Sequence, residues 1–108
     1  PASEENRLVF GPLTISQDTY TVTRGGEAVD LTAREFEMLR FLASQPDRVF
    51  SREELMQSIW GYDYIGDSLR AVDVAVRRLR EKLEDDPAVP RYILTHRGIG
   101  YSFCSKQE

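Results

Sequence analysis

From Leu8 to Leu31 apolar and polar positions alternate with a period of two, the mark of strands with one buried face. Leu8-Val9-Phe10 is a short apolar run stopped by Gly11-Pro12. Leu13 and Ile15 then alternate with Thr14 and Ser16, and Tyr20 and Val22 with Thr21 and Thr23. Gly25-Gly26 sits between two extended segments, a two-residue hairpin signal because both turn positions need φ > 0. Val29 and Leu31 resume the alternation, so this part predicts an antiparallel sheet of three or four strands. The period then lengthens. Thr32-Ala33-Arg34-Glu35 has the form of a capping box, and behind it Phe36, Leu39, Leu42 and Ala43 recur at helical spacing up to Pro46. Ser51-Arg52-Glu53-Glu54 is a second box, followed by Leu55, Met56 and Ile59 as far as Trp60-Gly61. A loop over 61–68 leads to a third and longest helix from about 68 to 84, capped by Asp67 or Ser68 and ending before Pro87 and Pro90. Two extended pieces, Tyr92–Thr95 and Tyr101–Cys104, flank Arg97-Gly98-Ile99-Gly100 and predict a terminal hairpin. The order is sheet, three helices, hairpin, an α+β arrangement.

At 108 residues the chain is long enough for one core, and reads as a linker end over 1–7, one domain over 8–104 and a tail over 105–108. No apolar run approaches the roughly 20 residues of a membrane span, and no signal peptide is visible. Cys104 has no second cysteine to pair with, which is compatible with a reducing cytoplasm. The start at Pro1-Ala2-Ser3, without methionine, is expected of a piece cut from a longer protein, and processing gives the same start.

Charge changes the picture of the third helix. The net charge of −4 argues mildly against a polyanion as partner, but contact depends on local charge. Residues 1–48 hold five Lys/Arg against eight Asp/Glu, whereas 70–80 hold four Arg against one acid, Asp73. At about 100° per residue, Val72, Val76, Leu79 and Leu83 share one side of this helix. Arg70, Val74, Arg77 and Arg78 share the other, with Arg80 at one edge. Such a face is either a solvated one, with pairs such as Asp73–Arg77 and Arg77–Glu81, or one that enters a major groove. In a groove Val74 would meet thymine methyls beside arginines that reach guanine edges or phosphates. The hairpin tilts the balance towards DNA, because Arg97 near the tip of a thin ribbon can reach a minor groove.

These residues also carry a family resemblance. TAREFEMLRFLA, SREELMQSIWGYDY, RAVDVAVRRLREKLE and THRGIGYSF together resemble the C-terminal winged-helix effector domain of OmpR/PhoB-type response regulators, over about 8–104. The resemblance implies a winged helix-turn-helix: a four-stranded N-terminal sheet, three helices and a β-hairpin wing. The third helix would enter the major groove and the wing arginine, Arg97, the flanking minor groove of double-stranded DNA. It further implies that Arg78 is the main base reader with Val74 and Ala75 beside it, although Ala75 is smaller than the residue several members carry there. Arg70, Arg77 and Arg80 would share phosphate and base contacts, with Arg52, Trp60 and Thr95 at phosphate positions. Tyr62, Asp63 and Tyr64 would lie in a loop that contacts RNA polymerase. An N-terminal receiver domain, phosphorylated by a sensor histidine kinase, would pair the protein on direct-repeat promoter half-sites about one helical turn apart. The isolated domain would be a weak monomer that pairs on DNA. The family works in the cytoplasm with no cofactor and no metal.

Two rival readings come from other classes. For an enzyme, His96 is the only histidine and suits a phosphate or solvent contact better than a general base, and nothing supplies a base for Cys104. No metal-ligand cluster is visible. Asp85-Asp86 reads as a solvated pair, and Gly98-x-Gly100 as a ribbon turn, since it opens no helix. The other rival is a winged helix that makes only protein contacts, favoured by the acidic net charge and opposed by the arginines. Trp60 and Tyr101 can each be read as core aromatics instead of contact residues.

Overall fold

The computed structural model describes residues 7–61, 69–84 and 86–106. Strands β1 (Arg7–Phe10), β2 (Leu13–Ser16), β3 (Thr21–Arg24) and β4 (Glu27–Val29) form an antiparallel sheet in chain order. The turns are those the glycines demand: Gly11 has φ of 60°, and Gly25 and Gly26 have φ of 61° and 86° in a two-residue connection between Arg24 and Glu27. Alternation puts Leu13, Ile15 and Val22 inside, each at most 2% exposed, while the threonines face outwards or lie half-buried.

Helix α1 (Ala33–Ser44) starts from the predicted capping box: the Glu35 N–H donates to Thr32 Oγ1 at 3.2 Å, and the Thr32 N–H to Glu35 Oε1 at 2.9 Å. Ser51 and Glu54 repeat the pattern at 3.1 and 3.0 Å to open α2 (Arg52–Leu55). The expected continuation of α2 to Trp60 is not α-helical. Met56–Trp60 forms one π-helical turn, closed by the Gly61 N–H on the Met56 carbonyl at 3.1 Å, and Gly61 leaves it with φ of 88°. Helix α3 covers Arg70–Leu83, preceded by Leu69 in helical geometry. Its expected caps Asp67 and Ser68 lie outside the described residues, as do Tyr62, Asp63, Tyr64 and Asp85.

Strands β6 (Ile93–His96) and β7 (Gly100–Phe103) form the terminal hairpin. A two-residue strand that sequence periodicity does not predict, β5 (Phe50–Ser51), pairs with β7, giving a second sheet in the order β5-β7-β6. Gly100 is therefore a strand residue and not part of the turn. A Cβ on it would stand 1.8 Å from the Phe50 carbonyl oxygen, so only glycine lets β5 come this close. Gly98 alone supplies the turn's positive φ, 76°. Ring contacts tie the layers: Phe10 and Phe103 lie 4.6 Å apart between the two sheets, and Phe41 and Phe50 4.8 Å apart between α1 and β5.

Candidate nucleic-acid interface

The spacing in α3 separates a buried stripe from an outward face. Val72, Val76, Leu79 and Leu83 are at most 1% exposed and hold the helix to the core. Arg70, Val74, Arg77 and Arg78 are exposed on the opposite side, Val74 at 45%. Among the described residues no ion pair is formed by Arg77 or Arg78, and neither i,i+4 pair suggested by spacing is present. Ala75 does not belong with Val74. It is 8% exposed and packs into the core cluster, so it offers little surface for the contact that the resemblance implies beside Val74. Ala75 stands three residues after Val72 and four before Leu79, a spacing that already places it at the margin of the buried stripe.

The edge of α3 is bolted to the wing. Arg80 donates from Nε and Nη2 to the Ile93 carbonyl at 3.1 and 2.8 Å, and from Nη2 to Thr95 Oγ1 at 2.5 Å, with its guanidinium 5.6 Å from the centre of the Tyr101 ring. Burial pulls this guanidinium below its ordinary range, and Tyr101 and Glu84 offset part of that effect, yet it remains cationic. Its donors are directed at β6, and it accounts for the Thr95 hydroxyl as well. Arg80 and Thr95 thus face each other, where the resemblance places both against DNA.

Asp73, the acid of the basic segment, also faces the wing. Its Oδ1 accepts the Tyr101 hydroxyl at 2.6 Å and its Oδ2 meets Arg52 Nη1 at 3.2 Å. Burial first, and then this hydrogen bond, push the Tyr101 hydroxyl up to about 12, so it stays protonated as the donor. Tyr101, 9% exposed, is a core aromatic with one polar handle. Arg52, Asp73, the wing residues from Thr95 to Gly100 and Tyr101 line a cleft of about 220 Å³ between α2, α3 and the hairpin. Arg97 is exposed at the turn and forms no ion pair among the described residues, next to Ile99 at 62% exposure. His96 Nε2 lies 2.7 Å from Ser102 Oγ across the ribbon. Trp60 is half-buried against the core, with the Arg34 guanidinium 4.9 Å above its ring.

Sequence reasoning missed Glu84. This carboxylate is 4% exposed and accepts three successive backbone N–H groups at the entry to β6: Arg91 at 2.7 Å on Oε1, Tyr92 at 2.9 Å and Ile93 at 2.9 Å on Oε2. The available signal was its place as the last residue of RRLREKLE, one position past the helix. Among the described residues no group of three or more His, Cys, Asp or Glu could hold a metal, and no helix is long and apolar enough to cross a membrane.

The geometry has close counterparts. Residues 26–103 match the family model described as transcriptional regulatory protein, C terminal. The response regulator DrrB of Thermotoga maritima, an OmpR/PhoB homolog, is 40% identical with a TM-score of 0.83 over 92% of this chain. This chain spans only 44% of DrrB. The RstA DNA-binding domain of Klebsiella pneumoniae, solved in complex with the RstA box, is 39% identical with a TM-score of 0.84, covering 92% of this chain and 97% of that one. The DNA-binding domain of CpxR from E. coli is 30% identical with a TM-score of 0.79, covering 94% of this chain and 98% of that one. The four-stranded sheet, the helices, the wing and these matches together place the chain in the family of C-terminal winged-helix domains of OmpR/PhoB-type transcriptional regulators.

Proposed function

We propose that this domain binds double-stranded DNA in a sequence-specific manner as the effector part of a two-component response regulator. The observation that carries the reading is the outward face of α3, where Arg70, Arg77 and Arg78 surround an exposed Val74 beside a wing tipped by Arg97. In this reading α3 lies in the major groove and Arg97 reaches the adjoining minor groove. Arg78 reads a base, Val74 meets a thymine methyl, and Arg70 and Arg77 hold phosphates. Arg52, Trp60 and Thr95 flank this face and contact phosphates, while Arg80 at the edge of α3 serves the site by holding the wing through Ile93 and Thr95. The relatives support the reading, since the RstA domain was solved with its box and the AdeR domain with an intercistronic region. A receiver domain joined N-terminally, a sensor histidine kinase acting on it, direct-repeat sites and an RNA polymerase contact through Tyr62, Asp63 and Tyr64 complete the proposal. DrrB, more than twice the length of its matched part, supports a longer chain.

Duplexes selected from a random pool at low salt test this. The wild-type domain is expected to enrich a defined motif, and Arg78→Ala to cost about 1–3 kcal/mol on it while relaxing preference at one base pair. Equal loss on every duplex would reduce Arg78 to a phosphate contact. No enrichment and no binding would favour a winged helix that serves protein contacts.

A further inference from the structure

Near its start α3 carries an anion, Asp73, that a surface built only to attract phosphate would lack. Asp73 stands three residues after Arg70 and directly before Val74, so its carboxylate lies at the rim of the proposed major-groove face. It is neither buried scaffolding nor a free surface charge: its side chain is 39% exposed, and both oxygens are engaged by other elements, Oδ2 by Arg52 of α2 and Oδ1 by Tyr101 of β7. Charged groups near it include Arg52 at 3.2 Å, Arg97 on the same cleft, Arg80 with its guanidinium 5.6 Å from the centre of the Tyr101 ring, and Arg70 and Arg77 three and four residues away on α3.

The electrostatic consequence follows from distance. A phosphate arriving at the cleft meets Arg52 and Asp73 together, a pair with no net charge. Arg52 meets Asp73 through Nη1 and has further donors for a phosphate, but that phosphate then lies beside a carboxylate held against the same guanidinium. We infer that Asp73 is a specificity-determining residue: it cancels the phosphate attraction of Arg52, the gain open to a duplex that α3 cannot read, and so weakens such duplexes more than one held by the base contacts of α3. Selectivity is a difference of affinities, and an element that weakens the wrong complexes raises it as surely as one that strengthens the right complex. This rests on the DNA-binding reading above.

The test measures binding of the 108-residue chain to a pool-selected duplex and to a scrambled duplex of the same composition, between 50 and 200 mM salt. Asp73→Asn keeps the size and one acceptor for the Tyr101 hydroxyl but removes the charge. It is expected to tighten the scrambled duplex about threefold to tenfold and to steepen the salt dependence by about 0.9, the slope of one added phosphate contact. The preference for the selected duplex then falls. Adding Arg52→Gln to Asp73→Asn is expected to reverse the gain, and Tyr101→Phe, which keeps the ion pair, should not reproduce it. The inference is overturned if Asp73→Asn weakens both duplexes in parallel with an unchanged slope, if the gain survives removal of Arg52, or if Tyr101→Phe matches it. Wild-type protein that binds neither duplex overturns the DNA reading itself, a result distinct from all of these.

Discussion

Replacing Arg80 with lysine separates a DNA contact from a structural bolt. Lysine keeps the positive charge and most of the reach, so a phosphate contact survives the change with little loss of affinity. A guanidinium fork does not survive it. Arg80 places two nitrogens on the Ile93 carbonyl, at 3.1 and 2.8 Å, and shares one of them with Thr95 Oγ1 at 2.5 Å. An ammonium can satisfy one of these acceptors from a single point. Hydrogen bonds from charged donors contribute about 1.5–3 kcal/mol each, and one retained bond offsets part of the loss. The net cost is then about 1.5–2 kcal/mol. For a domain of this size each kcal/mol moves the midpoint of thermal unfolding by about 4–8 °C, so Arg80→Lys is expected to lower Tm by roughly 6–16 °C. The assay is a thermal melt followed by circular dichroism, run beside a salt titration of DNA affinity. The structural account predicts a lower Tm with a salt slope close to wild type. A melt within about 2 °C of wild type, together with a slope reduced by about 0.9 in Arg80→Gln, would refute it and return Arg80 to the phosphate contacts.

Two further changes probe the frame that carries the site. Gly100→Ala drives a methyl into the Phe50 carbonyl, 1.8 Å away, and the obstacle is backbone that cannot swing aside. It is expected to cost about 1–3 kcal/mol in a denaturant titration by separating β5 from β7, and a loss below about 0.5 kcal/mol would mean that the strands part without penalty. Glu35→Gln keeps an acceptor for the Thr32 N–H and removes the charge that Lys82 meets at 2.7 Å. Burial raises the Glu35 pKa, but hydrogen bonds and the charge of Lys82 outweigh it and hold the group below its ordinary 4.5. A depressed carboxylate stabilises the fold above its unfolded pKa and ceases to do so as pH falls through the folded one. The wild-type advantage over Glu35→Gln, about 0.5–1 kcal/mol because Lys82 is 40% exposed, should be full at pH 7 and fade as pH falls below 4.5 through the lowered folded value. An advantage that grows on acidification would contradict the assignment.

The parts of the fold that were legible in the sequence are those decided by neighbours along the chain. Both capping boxes, the Gly25-Gly26 turn and the stripe Val72, Val76, Leu79 and Leu83 depend on residues within one turn of helix or hairpin, and each is present. The illegible parts are decided across the chain. Phe50-Ser51 is too short to show a period and becomes a strand only because β7 lies beside it. A carboxylate at a helix end reads as solvated until the start of β6 is folded over it, as happens to Glu84. For the candidate site the split is similar: outward and inward faces follow from spacing, but which arginine keeps its donors for a ligand does not. Arg77, Arg78 and Arg80 look alike in RRLR, yet only Arg80 has a carbonyl of β6 within reach.

That difference bears on how the two probes act together. Three polar links join the α3 segment to the hairpin: Glu84 to the N–H groups at the entry of β6, Arg80 to Ile93 and Thr95, and Asp73 to Tyr101. They are spread along the helix, near its start, near its end and just beyond it, so they resist rotation of the wing as well as its separation. They add to the β5–β7 pairing and to the buried Ile93 and Phe103 in fixing the ribbon, so Arg97 is not carried on a loose arm that must be ordered at the moment of binding, at an entropic cost. With these contacts together, the angle between the recognition helix and the wing is set before DNA arrives. The residues that set it carry charge, but most of that charge is spent inside the protein. Altering these residues is therefore expected to change DNA binding although none of them need touch a base.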